Sequence, residues 1–92
     1  MIKEIKTEED VKIFFNQLLD ESLNFHPDED FVNYINGETK EQTYTENECQ
    51  LRNDLMDRAF IVCENDGICI YELAQELSLK YTGFYFVFGI GK

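Results

Sequence analysis

The chain has 92 residues, of which 43% are hydrophobic and 14% aromatic, so it can bury a core as one domain over residues 1–92 and is not a disordered segment. Its 19 acidic and 8 basic residues give a net charge of −11, which disfavours direct binding to nucleic acid because phosphate backbones are repelled. There is no run of roughly 20 apolar residues that would span a membrane, and the N-terminus MIKEIKTEED lacks the apolar part of a signal peptide. We therefore expect a cytoplasmic bacterial or phage protein with no membrane contact.

The first predicted helix covers about residues 8–24. Thr7 is a favourable N-cap, and Asp10 stands three residues later, which approaches a capping-box pattern. The stripe that follows has helical spacing and predicts one face turned towards a core. Its members are Val11, Phe14, Phe15, Leu18, Ser22 and Phe25.

The middle of the chain is strongly acidic. Residues 20–48 contain nine acidic residues and one base, Lys40. Within this stretch PDEDFVNYING predicts a short helix, with Asp28 as its N-cap and Gly37 as its end. The polar residues after Gly37 predict a loop with a brief extended piece.

Two further helices are predicted after the acidic middle. Thr45 and Glu48 form a second capping box, and Gly67 is suited to a left-handed C-cap, so one helix should run between them. A third helix is predicted over about residues 68–80. Because the link between these two helices is short, we expect them to be antiparallel neighbours.

The C-terminal residues 84–90, FYFVFGI, are rich in residues that favour β-strands. Phe84, Phe86 and Phe88 alternate with Tyr85 and Val87, so both faces of such a strand are apolar and need cover. The strand would pair with the N-terminal MIKEIK or with the same strand of a second copy in a homodimer. A helical continuation is disfavoured by propensity. The predicted fold is mainly α, of the α+β class: three principal helices, a short helix after Pro27 and this aromatic strand.

His26 is the only histidine, and it precedes the acidic residues Asp28 and Asp30. The spacing after Asp28 does not match a calcium loop, and an iron site of two histidines and a carboxylate lacks its second histidine. The three cysteines contain no CxxC pair, so no zinc signature appears. The pattern favours a structural turn, in which Pro27 opens a helix and Asp28 caps it. We predict no cofactor, and a metal-dependent activity centred on His26 is a distant alternative.

An enzymatic function is not predicted. A reactive thiol needs a basic environment, and no His or Lys lies near Cys69 in the sequence. Neither a phosphate-binding loop nor a nucleophile elbow is present. Arg52 and Arg58 in the second helix have acidic residues close by in sequence, which predicts solvated ion pairs for both.

The acidic middle is instead a candidate surface for a protein partner, and a basic partner is favoured because the field of this surface attracts positive charge. The alternative hypothesis is that the protein is a phage or mobile-element inhibitor that imitates nucleic acid. The aromatic segment is a second candidate contact. The predicted partner-binding residues are Asp28, Glu29, Asp30, Glu38, Glu41, Glu46, Glu48, Phe84, Phe86 and Phe88.

Residues 24–74 resemble, as a whole stretch, a family of small acidic bacterial proteins of uncharacterised function. The matching segments are Phe25-His26-Pro27-Asp28, Gly37-Glu38-Thr39, Thr43-Tyr44-Thr45, and Val62-Cys63-Glu64 before Gly67. The resemblance implies no activity. It implies that His26 and Pro27 belong to a shared structural turn.

Overall fold

The computed structural model describes residues 1–82, so the predicted strand over residues 84–90 lies outside the described part. Helix α1 spans Glu8–Asp20, α2 spans Glu46–Asn65 and α3 spans Ile70–Thr82. A single 3-10 turn, Phe31–Asn33, lies between α1 and α2. The prediction of a mainly helical fold with three principal helices is therefore confirmed. None of the helices within residues 1–82 has the length and apolar character needed to cross a bilayer.

Helix α1 begins as predicted and ends earlier. The Thr7 hydroxyl accepts the Asp10 N–H at 3.2 Å, and the Asp10 carboxylate accepts the Thr7 N–H in return. At the other end Ser22 adopts a left-handed conformation with φ of 62°. The Leu23 N–H then bonds back to the Leu18 carbonyl at 3.3 Å, which closes the helix with a Schellman motif. The expected continuation to residue 24 was wrong because a serine takes the position usually held by glycine.

Helix α2 has the two caps that its sequence predicts. The Thr45 hydroxyl accepts the Glu48 N–H at 3.2 Å, and the Glu48 carboxylate accepts the Thr45 N–H at 2.8 Å. Gly67 has a φ of 71°, and the Ile68 N–H bonds to the Cys63 carbonyl at 2.8 Å. Both ends of this long helix are therefore closed by hydrogen bonds that water would otherwise have to supply.

The helices alternate in direction. Arg52, near the start of α2, bonds Glu21, just beyond the end of α1, while Gly67, beyond the end of α2, lies beside the first turn of α1. The end of α3 returns to the end of α1, where Tyr81 lies beside Asp20. Helices α2 and α3 therefore run in opposite directions, as predicted.

One core joins the three helices and the segment before α2. The predicted stripe of α1 is buried at Val11, Phe14, Phe15 and Leu18. Leu51 of α2 is 38% exposed and lines a depression beside the N-terminal segment. The remaining core side chains are Ile5, Leu19, Phe31, Tyr44, Cys49, Leu55, Met56, Ala59, Val62, Cys63, Ile70, Leu73, Ala74 and Leu77.

The short helix after Pro27 is present only as the 3-10 turn, and its N-cap is Asp30 in place of Asp28. The Asp30 carboxylate accepts the Val32 N–H at 3.0 Å. The chain then becomes extended at Tyr34, and the Thr43 N–H bonds to the Tyr34 carbonyl at 2.9 Å. An isolated antiparallel bridge, Ile35 to Gln42, follows. This pairing ends the helical stretch well before Gly37.

The cap at Thr45 gives a direct test of how α2 is held. We expect Thr45→Ala to lower the free energy of unfolding by about 1 kcal/mol, because the first turn loses a hydrogen-bond acceptor. Urea unfolding followed by circular dichroism measures this change. Thr43→Ala is the matched control, since no hydrogen bond of its hydroxyl occurs within residues 1–82. Equal effects of the two substitutions would contradict the capping role.

Candidate functional site

Three of the predicted partner-binding residues line one groove, which we call the acidic groove. It has a volume of about 360 Å³ and lies between residues 27–30 and helix α2. Four carboxylates surround it, and two apolar side chains of α2 share the same depression. Its lining comprises Asp28, Glu29, Asp30 and Asp57, the apolar Met56 and Phe60, and Pro27 and Asn53.

Phe31 anchors the loop that forms one wall of the acidic groove. Its side chain is 1% exposed, and its ring packs edge-on against Tyr44, with ring centroids 5.9 Å apart. The Phe31 N–H donates to the Asn53 side-chain carbonyl of α2 at 3.0 Å. The Asn53 amide in turn donates to the Asp30 carboxylate at 2.8 Å. The loop is therefore fixed to α2 by one buried ring and two hydrogen bonds.

Two carboxylates of the acidic groove are partly engaged within the molecule. The Val32 N–H and then the Asn53 amide lower the pKa of Asp30, so this carboxyl group is held in its charged form. The Tyr71 hydroxyl donates to Asp28 at 2.6 Å, and this bond raises the pKa of Tyr71. Each of these bonds uses a single carboxylate oxygen, so the second oxygen of each carboxylate can bind a partner.

The other two carboxylates of the acidic groove are fully available. Within residues 1–82, the side chains of Glu29 and Asp57 have neither a hydrogen bond nor an ion pair, and both residues are exposed. Asp57 was not among the predicted residues. It lies in α2, far from Asp28 in the sequence, and only the packing of the loop on α2 brings the two together.

The remaining predicted acidic residues lie elsewhere. Glu38 and Glu41 are exposed in the turn between Ile35 and Gln42. Glu46 and Glu48 lie in the first turn of α2, where Glu48 caps the helix and hydrogen bonds from Thr45 lower its pKa. The acidic middle is therefore not one continuous site. Phe84, Phe86 and Phe88 lie outside the described residues.

His26 takes part in a turn, as predicted. The Glu29 N–H bonds to the His26 carbonyl at 3.0 Å, and Pro27 is buried. The imidazole Nδ1 accepts the Asp28 N–H at 3.2 Å, so in the neutral ring the proton lies on Nε2. Within the described residues, no three His, Cys, Asp or Glu side chains are grouped so that they could hold a metal ion. A metal site at His26 thus lacks a ligand set in residues 1–82.

Arg52 differs most from its sequence-based interpretation. Only 5% of the residue is exposed, and its Nη2 and Nε atoms donate to the two oxygens of Glu21 at 2.6 and 3.3 Å. Its guanidinium lies 4.2 Å from the centre of the Tyr44 ring, and Nη1 donates to the Glu48 carbonyl at 3.2 Å. The expected solvated ion pair was therefore wrong. Helical spacing from Cys49 and Met56 places Arg52 on the buried face, and this signal was in the sequence.

Tyr44 completes this buried cluster. Its hydroxyl donates to Glu21 at 2.7 Å, and burial, followed by the Glu21 carboxylate, strongly raises its pKa. Arg52, Glu21 and Tyr44 therefore form a neutralised unit that joins the end of α1 to the start of α2. No hydrogen-bonding atom of this cluster is left unsatisfied in the interior of the described region. The cluster has a structural role and is not an open site.

No protein-family model matches this sequence, and neither a curated protein nor a solved structure shows significant similarity to it.

Proposed function

We propose that this chain is a non-enzymatic protein-interaction or regulatory protein whose acidic groove binds a basic segment of a protein partner. The observation that carries the proposal is the convergence of four carboxylates and two apolar side chains on one depression. Lysine and arginine side chains match such a surface, because their apolar stems can pack on the half-buried Phe60 while their charged ends meet carboxylates. We place the protein in the cytoplasm.

Two features of the acidic groove support a basic partner. Glu29 and Asp57 retain both carboxylate oxygens for intermolecular bonds, so binding does not first require an internal ion pair to break. The chain as a whole has a net charge of −11, which speeds the encounter with a positively charged protein. The half-buried Phe60 side chain adds contact area that a purely electrostatic surface lacks.

The alternative proposal is that the protein is a phage or mobile-element inhibitor that imitates nucleic acid. It predicts binding that depends almost wholly on charge and that disappears as salt screens the carboxylates. Binding through the acidic groove should weaken with salt and yet retain an apolar contribution from Phe60. Measuring how much of a lysate protein is retained at low and at high salt therefore distinguishes these two proposals.

For residues 84–90 we propose a contact either within the chain or across a homodimer.

The acidic groove is tested by neutralising its two available carboxylates. We expect Glu29→Gln/Asp57→Asn to weaken retention of proteins from a native lysate by about tenfold, because two charge-assisted bonds are lost. Immobilised protein and quantitative mass spectrometry of the retained proteins measure this change. The matched control, Glu38→Gln/Glu41→Gln, removes the same charge from the exposed turn and should retain the same proteins as the unaltered chain. Equal losses from both variants would reject a localised site.

A further inference from the structure

Part of the N-terminal backbone, residues 3–5, is unpaired within residues 1–82. The Ile2 N–H donates to the Gln17 side chain at 2.8 Å, and the Lys6 N–H donates to the Asp10 carboxylate at 2.9 Å. Between these two bonds, the backbone N–H groups of residues 3–5 have no hydrogen-bond partner anywhere in residues 1–82. The carbonyl groups of the same residues also have none within that range. Unpaired backbone beside an apolar surface is suited to pairing with another extended chain.

A groove runs beside this unpaired backbone, between the N-terminal segment and α2, and we call it the terminal groove. Its volume is about 400 Å³. Ile5, Leu51 and Leu55 line it, and Leu51 is 38% exposed. Lys3 and Arg58 are among the charged residues that also line it. The terminal groove therefore combines backbone groups that are unpaired within residues 1–82 with the partly exposed side chain of Leu51, while Ile5 and Leu55 are buried beside it.

The end of α3 lies close enough to supply the occupant. Tyr81 lies beside Asp20 at the end of α1, and Ile2 is hydrogen-bonded to Gln17 of the same helix, three residues earlier. That separation is about 4.5 Å along the helix axis, and a helix with its side chains is about 10 Å across. Residues 83–92 can span up to about 33 Å when extended. This length exceeds the width of α1, so it is sufficient to connect the end of α3 with the terminal groove.

We propose that residues 84–90 of the same chain occupy the terminal groove and bond the free backbone of residues 3–5. Phe86 and Phe88 then cover Leu51, because alternate residues of an extended segment face the same way. An extended segment of this apolar sequence needs cover for its side chains and hydrogen-bond partners for its backbone. The terminal groove offers both. The inference is independent of the acidic groove, which lies on another surface of α2.

Hydrogen exchange of the amides of residues 3–5, measured by NMR on the full chain, tests the proposal. We expect exchange at least tenfold slower than in Phe86→Lys/Phe88→Lys, and unchanged slow exchange in the control Ile35→Lys, which alters an exposed residue elsewhere. Fast exchange in the unaltered chain overturns the proposal, as does protection that survives Phe86→Lys/Phe88→Lys. Light scattering should give a monomer mass. Protection accompanied by a dimer mass overturns the intramolecular assignment in favour of a second copy.

Discussion

Replacing Arg52 with methionine should lower the free energy of unfolding by about 2–4 kcal/mol, because the Glu21 carboxylate then lies without its charged partner. Loss of one member of a fully buried pair costs about 3–5 kcal/mol, and we expect somewhat less because the Glu21 side chain is 32% exposed. The substitution also removes the bond to the Glu48 carbonyl and the contact with the Tyr44 ring. Urea unfolding measures the change.

Arg58→Met is the matched control for this prediction, since Arg58 lies on the same helix, is exposed and has no ion pair within residues 1–82. Its effect should stay within about 0.5 kcal/mol. The double variant Arg52→Met/Glu21→Gln should recover more than about 1 kcal/mol, because an amide replaces the unpaired charge and still accepts from Tyr44. An Arg52→Met variant as stable as Arg58→Met would show that the cluster contributes little.

The predicted caps show which parts of this fold are encoded locally. Thr7 and Thr45 each act through a residue three positions away, and Gly67 acts through its own backbone freedom, so sequence alone located these helix ends. Ser22 is different, because it adopts a left-handed conformation, with φ of 62°, that a residue with a Cβ atom rarely adopts. Nothing in its side chain marks a helix end, and the prediction therefore extended α1 too far.

The acidic groove was predictable only in part, because it combines residues that are adjacent in the sequence with one that is distant. Asp28, Glu29 and Asp30 are adjacent in the sequence, so their shared location followed directly. Asp57 joins them only because Asn53, one turn earlier on α2, holds the loop by its hydrogen bonds. A contact between distant segments has no local pattern. Net charge therefore identified the surface as acidic but did not identify which carboxylates form one groove.

Phe31→Ala should have the other large effect, because this residue supports both the core and the acidic groove. Its side chain is buried among Tyr34 and Tyr44, and removal of such a ring costs about 3–5 kcal/mol. We also expect lysate proteins to be retained as weakly as by Glu29→Gln/Asp57→Asn, since the loop that carries Glu29 loses its anchor. Urea unfolding and the retention assay give the two readouts separately.

Two further variants separate loss of the anchor from a general disturbance of the loop. Val32→Ala changes the neighbouring residue, which is 41% exposed, and should alter neither stability beyond about 0.5 kcal/mol nor retention. Phe31→Leu keeps a buried apolar side chain, so it should restore most of the retention even though some stability is lost. If Phe31→Ala folds and still retains the same proteins at full strength, the position of the loop does not control binding. In that case the carboxylates of α2 would account for the interaction without Asp28, Glu29 and Asp30.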